Sequence, residues 1–177
     1  MTEQGGSAGS SDDAGDPTVN RNQRAIRIVV GADNAGVVLK DMLAEVLRAD
    51  HRVEAVTDLG VHTSTDDTPY PDVGLRAAEA VSAGQADRAL LVCGTGIGMA
   101  ISANKVSGVR ATVAHDGYSV QRSVLSNDCQ VLAMGARVVG PELAKHLVNE
   151  WLNLRFDPDS ASAQKVGVIS RYEAKQH

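Results

Sequence analysis

Cys93 followed by a run of glycines is where this sequence concentrates its capacity for chemistry. Ala89-Leu90-Leu91-Val92-Cys93 is an apolar run of strand length that breaks into Gly94-Thr95-Gly96-Ile97-Gly98, and a helical segment over 99–106 follows. Glycines let a backbone turn tightly and aim successive N–H groups into one space, and the start of the next helix adds partial positive charge. Such a loop suits an anion or the oxygen of an enediolate. It also favours the thiolate of Cys93, the form that acts as base or nucleophile. A simpler reading leaves Cys93 as a small core residue at a strand end. The glycine spacing departs from G-x-G-x-x-G and no Gly-Lys-Ser/Thr follows, which argues against a P-loop. Asp116 stands at about the distance where a ribose-binding acid follows a dinucleotide loop, so a nucleotide-binding module is the rival from another class.

The elements that must position these residues alternate along the chain. A β-branched strand over 25–30 ends at Gly31, and a helix from Ala35 carries Val38, Leu39, Met42, Leu43, Val46 and Leu47 at three- and four-residue steps. A strand over 53–59, a helix from Pro71, the Cys93 strand and the helix over 99–106 come next. Later units are a strand over 109–114, a helix over 118–125, a strand over 130–134, a helix over 141–152 and a last helix from Ser162. Strands joined through helices need crossover connections, so the expected fold class is α/β: a Rossmann-like three-layer αβα sandwich around a central parallel five-stranded sheet. Ligands of such sheets bind beyond the carboxyl ends of the strands, and Cys93 lies at one of these ends.

The chain has 177 residues and 43% hydrophobic content, enough for one buried core and too little for two of ordinary size. Residues 1–24 hold almost no large apolar side chain and read as a disordered tail, which leaves 25–177 as a single domain. A net charge of -5 gives no reason to meet nucleic acid or an anionic membrane. Two cysteines, Cys93 and Cys129, make no disulfide framework, and no Cys/His spacing suits zinc. With no leader-like segment and no apolar stretch long enough to span a bilayer, a cytoplasmic protein is expected.

Cys93-Gly94-Thr95-Gly96-Ile97-Gly98-Met99, with Ser102-Ala103-Asn104-Lys105-Val106 and Gly108-Val109-Arg110-Ala111, resembles the signature of ribose-5-phosphate isomerase B and its relatives, among them galactose-6-phosphate isomerase subunits. The likeness extends to Gly31-Ala32-Asp33-Asn34-Ala35-Gly36, Tyr70-Pro71, Asn127 and Met134-Gly135-Ala136-Arg137-Val138-Val139-Gly140. It implies an aldose–ketose isomerase without metal or cofactor, a homodimer or a tetramer, and sites shared between subunits. By the same resemblance Cys93 is the base that moves a proton between C1 and C2 through a cis-enediolate. The loop of Gly94, Thr95, Gly96, Ile97 and Gly98 holds the developing oxyanion, and Asn127 binds a substrate oxygen. Asp33, Asn34 and Tyr70 line the sugar pocket, while Arg137 and Lys165 are the best matched cations for phosphate. Asp33 equally suits a helix cap, and Tyr70 a loop core.

Departures from the pattern bear on the substrate. Asn34 follows Asp33 where the ribose enzymes carry histidine. Ser126 stands where they carry the histidine that the resemblance links to opening a furanose ring. The C-terminal Gly-Gly-Arg-His becomes Asp159-Ser160-Ala161-Ser162. A sugar phosphorylated on C4 has no free hydroxyl placed to close an unstrained ring, so it needs no ring opening. His115-Asp116-Gly117-Tyr118-Ser119 and Leu125-Ser126-Asn127 are similar to the erythrulose-4-phosphate isomerase branch. D-Erythrulose 4-phosphate is therefore expected ahead of ribose 5-phosphate, and a noncatalytic partner subunit is a third reading. Arg122, on the same expected helix, could reach phosphate but reads rather as a solvated surface residue, and His51, His62 and His115 as surface or loop histidines.

Overall fold

The computed structural model describes residues 24–175, so all but Arg24 of the segment expected to be a disordered tail lies outside the described residues. Five strands form one parallel sheet in the order β2-β1-β3-β5-β4: β1 Ile26–Ala32, β2 Val53–Asp58, β3 Arg88–Cys93, β4 Ala111–Val113 and β5 Val131–Gly135. The helices are α1 Val37–Arg48, α2 Tyr70–Ser82, α3 Ile97–Ala103, α4 Gly117–Leu125, α5 Pro141–Asn153 and α6 Ala163–Glu173. The expected αβα sandwich is what forms.

Side chains alternate across the sheet and fill two cores. Val30, Leu90, Val92, Leu132 and Met134 face α1, α4 and α5 with Leu43, Val124, Leu147 and Trp151. Val29, Leu91, Cys93, Val131 and Ala133 face α2 and α3 with Val73, Ala77 and Met99. The thiol of Cys93 therefore lies on the α2–α3 face. β3 and β5 are buried along their whole length, whereas the edge strand β2 has only exposed and half-buried positions.

Several boundaries differ from the sequence expectation, as where β1 runs on through Gly31 to Ala32 and α1 starts at Val37, and two of the differences have a clear cause. α3 begins at Ile97, two residues early, because Gly96 turns the chain straight into the helix, and it ends at Ala103. β4 is only three residues long, because the side chain of Asn104 pairs with both backbone groups of Ala111, donating to its carbonyl and accepting from its N–H at 2.8 Å each. That pairing occupies the place a longer strand would start.

Buried charges tie the layers together. Lys40 of α1, 1% exposed, reaches Asp58 at the end of β2 and Asp41 at 2.7 Å. Arg88 lies over the Trp151 ring, 5.1 Å from its centroid, and donates to the carbonyls of Trp151 and Leu154, which end α5. Burial foremost, and then the nearby Arg155, hold the Arg88 pKa down to about 10, still charged at neutrality.

Asp87 joins β1 to the turn before β3, accepting from the Arg27 N–H at 2.8 Å and from its guanidinium at 3.0 Å. Those bonds hold its carboxyl below the ordinary value of 3.8, and Arg52 does the same for Asp50. A lowered carboxyl contributes stability that is complete above the unfolded value and is lost as pH falls through the folded one. The melting temperature is expected to drop as pH falls below about 3.8, and less so in Asp87→Asn. Melts between pH 2 and 7 check this; parallel acid limbs for both proteins would exclude Asp87.

Candidate active site

The strand order reverses between β1 and β3, since β1 leads outward to β2 on one side and borders β3 on the other. Both strands end at the same level, with Ala32 opposite Val92. This is the crevice where parallel sheets take ligands. Asp33 and Asn34 follow β1 there. Asp33 Oδ1 accepts from the N–H groups of Ala35 and Gly36 at 3.0 and 3.1 Å, so it braces the turn ahead of α1 beside Cys93, whereas the helix cap itself is Gly36. Contact is close enough that a Cβ on Gly36 would lie 2.4 Å from the Val92 carbonyl oxygen.

Cys93 ends β3 with only 5% of its surface exposed. Its Sγ accepts a hydrogen bond from the Gly96 N–H at 3.0 Å, because the loop doubles back over the sulfur. That turn needs a left-handed residue, and Gly96 has φ 80°. The Thr95 hydroxyl accepts from the Ile97 N–H at 3.4 Å, and the first N–H groups of α3 point out of the helix without intrahelical partners. A sulfur base with N–H donors around it can take up a proton while those donors hold negative charge on a neighbouring oxygen.

A second loop, after β5, is laced onto the first. Ala136 N–H donates to the Cys93 carbonyl at 2.8 Å, and Arg137 N–H to the Gly94 carbonyl at 3.1 Å. The Arg137 guanidinium lies over Gly94, with Nη1 3.5 Å from where a Cβ would be. His115, at the end of β4, accepts the Gly135 N–H on Nε2 at 2.9 Å. Its sequence context held no signal of this, since the partner is a backbone group on another strand. Tyr70 closes the crevice from α2: its ring lies against Gly98, where a Cβ would meet Cε2 at 2.3 Å.

The crevice therefore gathers Cys93, Gly94, Thr95, Gly96, Ile97, Gly98, Asp33, Asn34, Tyr70 and Arg137. Three other expected residues stand elsewhere. Ser126 caps α4 and Asn127 donates from Nδ2 to the Arg122 carbonyl at 2.9 Å. Both precede β5, whose Val131 pairs with Ala89 while Gly135 pairs with Cys93, so they enter the sheet at least four strand positions, ~13 Å, from the thiol. Lys165 is exposed in the first turn of α6, with no hydrogen bond or ion pair to the crevice. Asp116 caps α4 by accepting from the Ser119 N–H at 2.8 Å, a structural use that leaves the dinucleotide reading without its acid. A cavity of about 360 Å³ at the amino end of the sheet, lined by Arg24, Ile26, Asp87, Arg88 and Arg155, lies away from this chemistry. Arg88 and Arg155 there serve the carbonyls at the end of α5.

The ribose/galactose isomerase family model matches residues 28–169. The chain belongs to the ribose/galactose isomerase family. As a member it is an enzyme, an aldose–ketose isomerase. It is 62% identical over 149 residues to D-erythrulose-4-phosphate isomerase 2 of Mycolicibacterium smegmatis, covering 84% of this chain and 98% of that one. It is 44% identical to the D-erythrulose-4-phosphate isomerase of Pectobacterium atrosepticum, over 85% of this chain and 97% of that one. The structure of ribose-5-phosphate isomerase B from Clostridium thermocellum matches with a TM-score of 0.79 and 41% identity, over 85% and 99% of the two chains. In this isomerase the crevice at the end of β3 carries the glycine loop of residues 94–98.

Gly96 tests the loop, because a Cβ there would lie 2.9 Å from the Met134 carbonyl carbon as well as forcing a left-handed side-chain residue. Gly96→Ala is expected to cost about 2 kcal/mol or more of stability and to raise the alkylation rate of Cys93 as its cover loosens. Denaturant titration and iodoacetamide labelling measure both; a variant as stable as the parent would show that the turn tolerates a side chain.

Proposed function

We propose that the isomerase interconverts D-erythrulose 4-phosphate and D-erythrose 4-phosphate, with Cys93 as the base, in a cytoplasmic homodimer whose sites are shared between subunits. The observation that carries the chemistry is the Cys93 sulfur under the Gly96 N–H at the strand switch point. The Cys93 thiolate removes a proton from C1 of the ketose, the electrons move onto the C2 oxygen as a cis-enediolate, the O1 hydroxyl proton passes to O2, and the thiol returns its proton to C2 as C1 becomes the aldehyde. N–H groups of the 94–98 loop and the Thr95 hydroxyl meet the enediolate oxygens. Arg137 offers its fork to the phosphate, and Asp33, Asn34 and Tyr70 bound the sugar. A four-carbon substrate suits a chain with Ser126 in place of a ring-opening histidine, and the 62% identical relative carries that substrate in its name.

Sharing of sites is supported by the distance between Cys93 and the pair Ser126 and Asn127. Two exposed isoleucines on α3, Ile97 and Ile101 at 55% and 56%, lie one turn apart beside the crevice and give a second copy an apolar surface to cover. Lys165 reaches phosphate in this reading only from a neighbouring subunit. Ribose 5-phosphate is the second reading, favoured by the likeness to the Clostridium thermocellum structure.

Purified protein given both sugars is expected to show a kcat/KM for D-erythrulose 4-phosphate about tenfold or more above that for D-ribose 5-phosphate. The reverse order would assign the pentose. Activity in the homo-oligomer excludes a noncatalytic subunit. Cys93→Ala is expected to lower kcat by roughly 10³-fold with the fold retained. Turnover undiminished in that variant would remove the thiol from the mechanism.

A further inference from the structure

Among the described residues, three buried side-chain polar atoms lack a hydrogen-bond partner: Nε of Arg122, Nε1 of Trp151 and Oγ of Ser160. Only Arg122 carries charge, and it forms no ion pair among the described residues. Its Nη2 donates to Gln121 Oε1 at 2.9 Å and its Nη1 to Ser126 Oγ at a long 3.4 Å. The guanidinium lies 5.7 Å from the centroid of the Tyr118 ring. The side chain expected to be a solvated surface arginine is thus half-buried, held by neutral groups, and short of an acceptor. Nε itself is closed to solvent, but Nη1 and Nη2 each keep a second N–H without a partner among the described residues, and an oxyanion would satisfy both at once.

Position gives that vacancy a meaning. The core face of α4 is made by Val120, Ser123 and Val124. Tyr118, Arg122 and Ser126 follow at four-residue steps on another face, ending beside the exposed Asn127. Ser126 occupies the place that the family resemblance gives to a ring-opening histidine. In a furanose the ring oxygen is O4. In a tetrose phosphorylated on C4 that same oxygen is the phosphate ester oxygen, so a group at this place meets phosphate instead of a ring. Serine is small enough to leave room, and a guanidinium from one turn earlier fills it.

We infer that Arg122, seated on Ser126 and Tyr118, binds the phosphate of the substrate held by the other subunit's Cys93, and so selects a four-carbon sugar phosphate. This rests on the isomerase reading above. Arg137 approaches the substrate from the subunit that carries the thiol, and Arg122 from its partner.

Steady-state kinetics with D-erythrulose 4-phosphate, and with inorganic phosphate as competing anion, test the assignment. Arg122→Met is expected to raise KM and the inhibition constant of phosphate about tenfold or more, with a much smaller change in kcat. Arg122→Lys, which supplies charge without the fork, recovers part of the loss and carries the comparison if the methionine variant is unstable. Phosphate is also expected to slow iodoacetamide labelling of Cys93 in the parent and not in Arg122→Met, a readout independent of turnover. Unchanged KM, inhibition constant and protection in a folded Arg122→Met protein would overturn the inference. Mixed dimers of Cys93→Ala and Arg122→Met are expected to regain activity at low substrate, because one site then holds both native residues; no recovery would overturn the placement across subunits. If the parent isomerises no sugar phosphate yet phosphate protection still depends on Arg122, the isomerase reading fails and the anion site stands.

Discussion

Two backbone hydrogen bonds, from Ala136 to the Cys93 carbonyl and from Arg137 to the Gly94 carbonyl, hold together everything this site does. They join the loop after β3 to the loop after β5, so the thiol and the guanidinium above Gly94 cannot be positioned independently. The β3–β5 register sets this up, because Cys93 and Gly135 end their strands side by side. His115 completes the join by accepting the Gly135 N–H, using an imidazole as part of the scaffold. A side chain that elsewhere serves as an acid or base is here committed to the backbone through its acceptor nitrogen.

Much of this was legible because the signals were local. The apolar run 89–93 announces a buried strand, and glycines after it announce a turn whose backbone faces a ligand. The α3 boundary was not legible, since it depends on the φ angle adopted by Gly96 as it packs against Met134. Asn104 shortens β4 by imitating a strand, and nothing in an isolated asparagine marks it for that purpose. His115 and Arg122 were read as surface residues because their partners, the Gly135 backbone and the orphaned geometry around Ser126, come only with the tertiary fold. Family resemblance supplied Asn127 and Ser126 as site residues. It took the β3–β5 register to reveal that they sit at the other end of the sheet from Cys93.

The sheet thus divides its labour by edge. Its carboxyl end holds the thiol, the glycine loop, Asp33, Tyr70 and Arg137. Its amino end is a rigid base in which Arg88 and Arg155 cover the carbonyls of α5, while Asp87 and Arg27 link β1 to β3. Lys40 and Asp58 lock α1 to β2, and Asp58 also receives the Gly60 N–H at 2.9 Å, so that the chain leaving β2 passes close under β1. The charges at the base are spent on backbone and on one another, and those of the crevice remain available.

The close backbone contacts at Gly36, Gly98 and Gly135 have a bearing on how such a protein can change over generations. A side chain at any of them would collide with Val92, Tyr70 or Thr95, so these three turns hold glycine by lack of space. Room for variation lies instead at exposed or half-buried positions such as Asn34, Arg122, Ser126 and the α6 turn, where side chains are free to differ. Crowding holds these turns constant, and variation is left to the residues that crowding does not reach.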